Sequence, residues 1–310
     1  MCRLFFCLLL VCLCLVSCGK PNNTYLTGRL LLSEYYNYYL LYDYDKGDTT
    51  GKSYIITSSQ NILMVPSLIN EKLVITINDS NAWPVKYSLV ECSLNVNKTD
   101  TLLSLDKVID YPSLSFDTCA IAFLTDFKGK SSTLPVIKMP IGITQSASLY
   151  LLDRKTKNYH ELINNIAECK PSWALDNKSL YISTYGGVML QIDTSGNIID
   201  TIGSGYCPTL SPCGSKMAYL KGRSIYIVDL ASNKKKLIAS KFSKYIPQKA
   251  FRISLTWSPD SKYILYQGQD LFSYLTGWAS QFVIIPADGK GAPRVIKDCT
   301  AYGAGAAWVP

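Results

Sequence analysis

A single histidine, His160, stands in a chain of 310 residues. A multi-histidine metal centre is thereby excluded, and a Ser-His-Asp triad would have one candidate base. Charged residues are scarce at 17%, against a usual quarter, while hydrophobic residues reach 48%. A chain this apolar has ample core and is neither a tail nor a linker. Cysteine is unevenly placed, since Cys2, Cys7, Cys12, Cys14 and Cys18 crowd the start and only six of the 11 follow. Those six are too sparse for a disulfide-framework mini-protein. No stretch beyond the N-terminus carries the periodicity of a credible amphipathic helix. Past residue 17 arginine is limited to Arg29, Arg154, Arg223, Arg252 and Arg294, and no Asp-box occurs, which argues against a sialidase.

What the N-terminus has is an address. One charge, Arg3, precedes an apolar run from Leu4 to Val16, of signal type and short for a membrane span. Leu15-Val16-Ser17-Cys18 resembles the bacterial lipobox, in which the small residue suits the lipoprotein signal peptidase and the thiol takes a diacylglyceryl group. The expectation is a signal peptide over 1–17, lipidated Cys18 as the mature N-terminus, and a polar tether over 18–27. An ordinary secretory signal or an uncleaved anchor are the alternatives, and each still exports the chain. Each buried methylene of the lipid adds about 0.8 kcal/mol of membrane attachment. The expected location is the bacterial cell envelope, lipid-anchored, with the outer membrane favoured. The formal net charge of +8 is spread over scattered lysines, with no run longer than Lys234-Lys235-Lys236. With export, nucleic acid is not an expected partner.

The remainder, 28–310, is repetitive. A short segment recurs as Pro66-Ser67-Leu68, Pro112-Ser113-Leu114, Pro171-Ser172-Trp173, Pro208-Thr209-Leu210, Leu255-Thr256-Trp257 and Ala306-Ala307-Trp308. After most copies come a polar turn and an alternating apolar stretch, such as Leu73-Val74-Ile75-Thr76-Ile77. A third strand then ends at Asp153, Asp193 or Asp229, and a short fourth closes the unit. Four strands in each of six units predict an all-β, six-bladed β-propeller with four-stranded antiparallel blades. The first unit begins with three strands, near Arg29–Ser33, Tyr38–Asp43 and Ser53–Thr57, and the chain ends on an orphan strand. Pairing the C-terminal strand into the first blade would close the ring.

Trp257-Ser258-Pro259-Asp260-Ser261-Lys262, and less fully Leu210-Ser211-Pro212-Cys213-Gly214-Ser215-Lys216, resemble the Trp-Ser-Pro-Asp-Gly-Lys repeat of TolB-like six-bladed propellers. The fifth and sixth units match best, the third and fourth partly, through Ser115-Phe116-Asp117 and Ala174-Leu175-Asp176, and the first two in pattern only. The resemblance implies a fold and a tendency toward envelope protein interactions. TolB itself carries a separate N-terminal α/β domain for which the tether leaves no room, so its partners do not transfer. Trp173, Trp257 and Trp308 are expected to fill the space between blades rather than to meet a ligand.

No catalytic constellation emerges, so the expectation is a non-enzyme with no cofactor and no metal. Asp153, Asp193 and Asp229 sit where Asp favours a turn through its own backbone, and calcium is the lesser alternative. A carboxylate-based hydrolase or lyase stays open, because paired carboxylates meet only in the fold. Cys207 and Cys213 lie roughly 20 Å apart in extended chain, beyond disulfide reach. Cys169 and Cys207 both precede inner strands of neighbouring blades and are the preferred pair.

In antiparallel blades the connections from strand two to three and from one blade to the next share a face. The long segments Asp126–Ala147, Gln267–Ser280, Asn78–Pro84 and Lys241–Arg252 all fall there. Loops clustered on one face of a rigid scaffold suggest a recognition surface. Its candidate residues are Trp83, Phe127, Lys128, Lys130, Lys138 and Met139, with Tyr245, Arg252, Phe272, Tyr274 and Trp278. Basic and aromatic side chains suit an envelope protein partner, or a glycan stacked on the rings. For each aromatic, folding back over its own loop is the structural alternative.

Overall fold

The computed structural model describes residues 29–34, 38–43, 48–55, 61–69, 72–79, 84–93, 99–128, 145–222, 224–240, 250–270, 281–296 and 306–308. The expectations for 1–28, Cys18 included, lie outside the described residues. No α-helix occurs among those described.

The strands follow in sets. First come β1 (Arg29–Glu34), β2 (Tyr38–Asp43) and β3 (Asp48–Ile55), then β4 (Asn61–Ile69), β5 (Lys72–Asp79), β6 (Lys86–Ser93) and β7 (Thr99–Leu105). Next are β8 (Asp110–Leu114), β9 (Ala120–Lys128), β10 (Ser146–Asp153) and β11 (Tyr159–Ala167). They are followed by β12 (Ser172–Trp173), β13 (Ser179–Ser183), β14 (Val188–Asp193) and β15 (Ile198–Ser204). Then come β16 (Tyr206–Leu210), β17 (Lys216–Lys221), β18 (Ser224–Asp229) and β19 (Lys235–Ala239). The last are β20 (Ala250–Trp257), β21 (Tyr263–Asp270), β22 (Gln281–Pro286), β23 (Arg294–Val295) and β24 (Ala306–Trp308).

These pair into four-stranded antiparallel sheets, five of them consecutive in sequence and one of order β24-β1-β2-β3. In that last sheet Leu30 faces Trp308 and Leu32 faces Ala306. β3 begins earlier than its sequence pattern suggests, because β2 pairs along its full length from Asp43 opposite Asp48 to Tyr38 opposite Ile55. The architecture is an all-β propeller with four-stranded antiparallel blades.

The core is divided among the gaps between neighbouring sheets. Val74, Leu89, Leu114 and Phe123 share one gap, and Leu124, Leu149, Trp173 and Ile182 the next. Second strands are therefore covered on both sides: all five residues of β13 are buried, as are five successive residues in β5 and in β9. The alternation read from Leu73 to Ile77 is thus one of side-chain type and not of burial, and even Thr76 is fully buried. Burial fades outward, and the first four residues of the outermost strand β15 are exposed.

The recurring Pro-Ser/Thr-Leu/Trp segment gains a local explanation. Pairing of β4, β8 and β16 with their neighbours slips across the segment's proline, a bulge at the same place in three inner strands, and in β20 the slip falls two residues earlier, between Phe251 and Ser254. Tyr111 and Cys207 take φ of 52° there, each ahead of a proline. A bulge leaves ladder positions unpaired, and proline, which has no N–H to donate, is tolerated there.

Two kinds of hydrogen bond then tie inner strand to inner strand. Where the next strand carries Trp, its indole donates back to a backbone carbonyl: Trp173 to Ser113 at 2.9 Å, Trp257 to Thr209 at 2.9 Å and Trp308 to Thr256 at 3.3 Å. Where it carries Leu, the backbone N–H donates to a serine hydroxyl instead: Leu114 to Ser67 at 3.0 Å and Leu210 to Ser172 at 2.9 Å.

The turns after the inner strands explain the rest of the signature. Ser258 donates to Asp260 Oδ1 at 2.6 Å and accepts from the Tyr263 N–H at 2.9 Å, and Ser115, Asp117 and Ala120 repeat the arrangement. The fourth turn residue has positive φ: Thr118 60°, Asn177 58°, Gly214 71° and Ser261 58°. Only Gly214 is glycine, and a Cβ there would meet Leu175 Cδ1 at 2.5 Å. Two of the others offset the αL penalty by bridging blades, since Asn177 Oδ1 accepts from Phe116 N at 2.8 Å and Ser261 Oγ from Cys213 N at 3.4 Å.

Candidate functional site

Chain direction fixes two faces. Inner strands enter from one face and end in a turn at the other, of five residues at 115–119, 174–178, 211–215 and 258–262 and of two at 70–71. Connections at the turn face are short. At the entry face the strand bounds leave 129–145, 240–249, 271–280 and 296–305 as the long connections. The segment expected from Asn78 to Pro84 contracts to 80–85, because β5 continues through Asp79.

Of the expected binding residues, Trp83, Lys130, Lys138, Met139, Tyr245, Phe272, Tyr274 and Trp278 lie outside the described residues. Arg252 belongs to β20 and not to the loop before it, and its side chain is likewise outside. Phe127 and Lys128 form the end of β9, which runs two residues past Asp126. Phe127 is half-buried and packs on the apolar cluster around Leu124 and Trp173, so it serves the core. Lys128 is exposed, and its carbonyl accepts from Ser146 Oγ at 3.2 Å across the base of the 129–145 connection.

That base is held by a polar cluster. Lys107 Nζ lies 2.9 Å from both oxygens of Asp126, which stands at φ 54° where β9 and β10 slip register. The Tyr150 hydroxyl sits 2.9 Å from Asp126 Oδ2 and 3.1 Å from Glu161 Oε2, one proton facing two carboxylates, and Lys107 also covers the Tyr150 ring at 5.2 Å. Burial alone would raise the Asp126 carboxyl, but the hydrogen bonds from Lys107 and Tyr150 outweigh it and hold it below its usual range. Burial, then the two carboxylates, push the Tyr150 phenol up. This phenol is not a base at neutral pH, and the cluster anchors the root of the longest connection.

Cys169 and Cys207 form a disulfide with Cα atoms 5.2 Å apart, joining the approach to β12 to the start of β16 at the entry face. Tyr185 and Tyr206 meet nearby, the Tyr206 hydroxyl donating to the Tyr185 carbonyl at 3.3 Å. The single histidine, His160, is exposed on β11 opposite Leu151. Asp153, Asp193 and Asp229 each turn one carboxylate oxygen onto backbone N–H groups, of Thr156 at 2.7 Å, Ser195 at 2.8 Å and Ser232 at 2.8 Å. Arg154 joins the third and second sheets by pairing with Glu91 and with the Thr118 carbonyl. Among the described residues no three of His, Cys, Asp and Glu gather as a metal site.

Sequence patterns do not reveal the cavity on the propeller axis. It encloses about 160 Å³ and is lined from the inner strands of five sheets, from Ile69 around to Trp257. Lys170 reaches it from the entry side, while Phe116 and Pro212 border it from the turns. The available signal was positional: Lys170 stands three residues before Trp173, where other repeats carry Tyr111, Cys207 and Ser254.

No family model matches the chain, and no curated protein does. Among solved structures it is similar to TolB from Acinetobacter baumannii, with 15% identity, a TM-score of 0.68, and coverage of 96% of this chain and 70% of that one. A putative TolB from Agrobacterium tumefaciens follows, at 13% identity and a TM-score of 0.56, covering 91% and 94%. An oligogalacturonate lyase in complex with manganese is 12% identical with a TM-score of 0.53, over 81% and 72%. At such identities the likeness is one of fold, that of a TolB-like propeller.

Proposed function

We propose that this chain is a lipid-anchored, non-catalytic binding module of the bacterial cell envelope. Cys18 bears the lipid, 18–27 is the tether, and 28–310 is a closed six-bladed ring that recognises a protein partner with its entry face. The ring is supported by the six paired sheets and by β24 joining β1. The observation carrying the function is the asymmetry of connection length: 129–145, 240–249, 271–280 and 296–305 all leave one face. Insertions without function would scatter over both faces, whereas recognition loops gather on one side of a rigid scaffold. Fixing the root of 129–145 through Lys107, Asp126 and Tyr150 suits such use, because a loop held at its base loses less entropy on binding. A TolB-like fold is compatible with this role and assigns no partner.

The test is a photo-crosslinker placed at Lys128 on the entry face or at Lys178 in a turn on the opposite face, in cells carrying the full chain. Adducts of defined mass from Lys128 alone support the reading. Equal adducts from both positions, or from Lys178 alone, contradict it, and carbohydrate in the adducts transfers the face to glycan capture.

A further inference from the structure

The joints between neighbouring inner strands follow a rule that one of them cannot obey. Among the described residues β24 lies beside β20 on one side and beside β4 on the other, so the six inner strands meet at six joints. Each strand is tied to the one before it through the middle residue of the recurring segment. Where the later strand carries Trp, its indole uses that residue's carbonyl, at Ser113, Thr209 and Thr256. Where it carries Leu, the backbone N–H uses a side-chain hydroxyl, which Ser67 offers to Leu114 and Ser172 to Leu210. The joint from β24 to β4 is of the second kind, since β4 carries Leu68, but the middle residue of β24 is Ala307. A methyl group accepts no hydrogen bond, so this tie cannot form at the sixth joint.

A second tie is missing there for a separate reason. The fourth residue of a turn bridges to the preceding turn where Asn177 accepts from Phe116 N at 2.8 Å and Ser261 from Cys213 N at 3.4 Å. β4 and β5 are joined by two residues, 70–71, so their turn has no fourth residue. Ile69, one residue beyond Leu68, lines the axial cavity from β4.

We propose that the joint between β24 and β4 is a built-in seam, where the ring parts in the folded protein while its other joints hold, and that parting gives the axial cavity a side entrance at Ile69. The seam rests on the closed ring proposed above and not on the role of the entry-face loops. Local openings of a folded protein are set by the interactions that each one breaks. A joint short of one hydrogen bond opens about fivefold more often than its neighbours, the factor that the net worth of such a bond corresponds to.

The test is thiol labelling of the full chain carrying Ala307→Cys or Ser113→Cys, positions equally buried at 5% exposure and equivalent in the repeat. Ser113 enters its joint through its carbonyl, so its replacement keeps the Trp173 bond. Iodoacetamide is added without denaturant, the modified sites are read by peptide mass spectrometry, and each rate is divided by that of the same thiol in the unfolded chain. The thiol introduced at 307 is expected to react at least about fivefold faster than that at 113, and far more slowly than the exposed Cys119. Equal rates at 307 and 113 overturn the seam and leave the closed ring standing. A rate at 307 equal to that of Cys119 overturns both, because β24 is then not docked. A second measurement needs no introduced thiol: Ala307→Ser supplies the missing acceptor and is expected to slow hydrogen exchange of the Leu68 amide at least about fivefold, with that of Leu210 unchanged. An unaltered Leu68 rate overturns the proposal.

Discussion

Replacing Trp257 by Phe removes one indole N–H and keeps most of the aromatic area. The indole is 5% exposed and donates to the Thr209 carbonyl at 2.9 Å, across the joint between β16 and β20. A hydrogen bond of this kind contributes ~1 kcal/mol net, and an acceptor left without its donor in a half-buried place costs more than that. The smaller ring also leaves unfilled volume, at roughly 24 cal/mol per Å³ of cavity. Together these give ~1–3 kcal/mol of destabilisation for Trp257→Phe. Ser172→Ala removes the acceptor for Leu210 N–H at the preceding joint and should cost ~1 kcal/mol. Both bonds end on the peptide group between Thr209 and Leu210, so the double variant should depart from the sum by about 0.5 kcal/mol or more. Urea denaturation followed by far-ultraviolet circular dichroism measures all three. A Trp257→Phe variant within about 0.3 kcal/mol of the parent would refute the claim that indole bonds hold the blades together.

Further outcomes follow from individual groups. The Lys170 pKa falls from 10.5 to about 7 by burial, so unfolding takes up a proton between those values and stability rises with pH across that window. Lys170→Met should lack this slope. Urea midpoints at pH 7 and pH 9 test it, and parallel slopes would contradict it. Replacing both Cys169 and Cys207 by Ser opens a crosslink between residues 38 apart and should lower stability by ~3–4 kcal/mol in calorimetric or chemical unfolding. Cys213 stands where its relatives in the repeat have Asp; burial raises its thiol, but hydrogen bonds with Ser211 and Ser215 prevail and bring it to about 6. Its alkylation rate should reach half-maximum near that pH and vanish in Cys213→Ser, whereas Cys92, pushed up to about 12 by burial, should react only on unfolding.

The blades are legible in the sequence because each repeat must end its inner strand the same way: a bulge that tolerates proline, a residue that crosses to the next strand, and a turn needing positive φ. Cys207-Pro208-Thr209-Leu210-Ser211-Pro212-Cys213-Gly214 displays all three demands in a few letters. Burial is less legible, since a strand covered on both sides, such as β13, loses the alternation that marks a half-buried one. The site is harder still. Lys170 carries no motif, and only the closing of five inner strands around an axis gives it a cavity to enter. Phe127 illustrates the opposite case, an aromatic that looks available beside a long connection and is drawn into the core once β9 extends past Asp126.

In the function proposed above, the entry face, through its long connections, is what this chain presents to a protein partner. Its most direct test is an affinity capture from envelope extracts with the lipidated full chain, against a variant whose residues 130–144 are replaced by a short turn. Specific proteins captured by the parent are expected to be lost by the variant while its circular dichroism and unfolding midpoint stay those of the parent. Retention of the same proteins by the folded variant would contradict it.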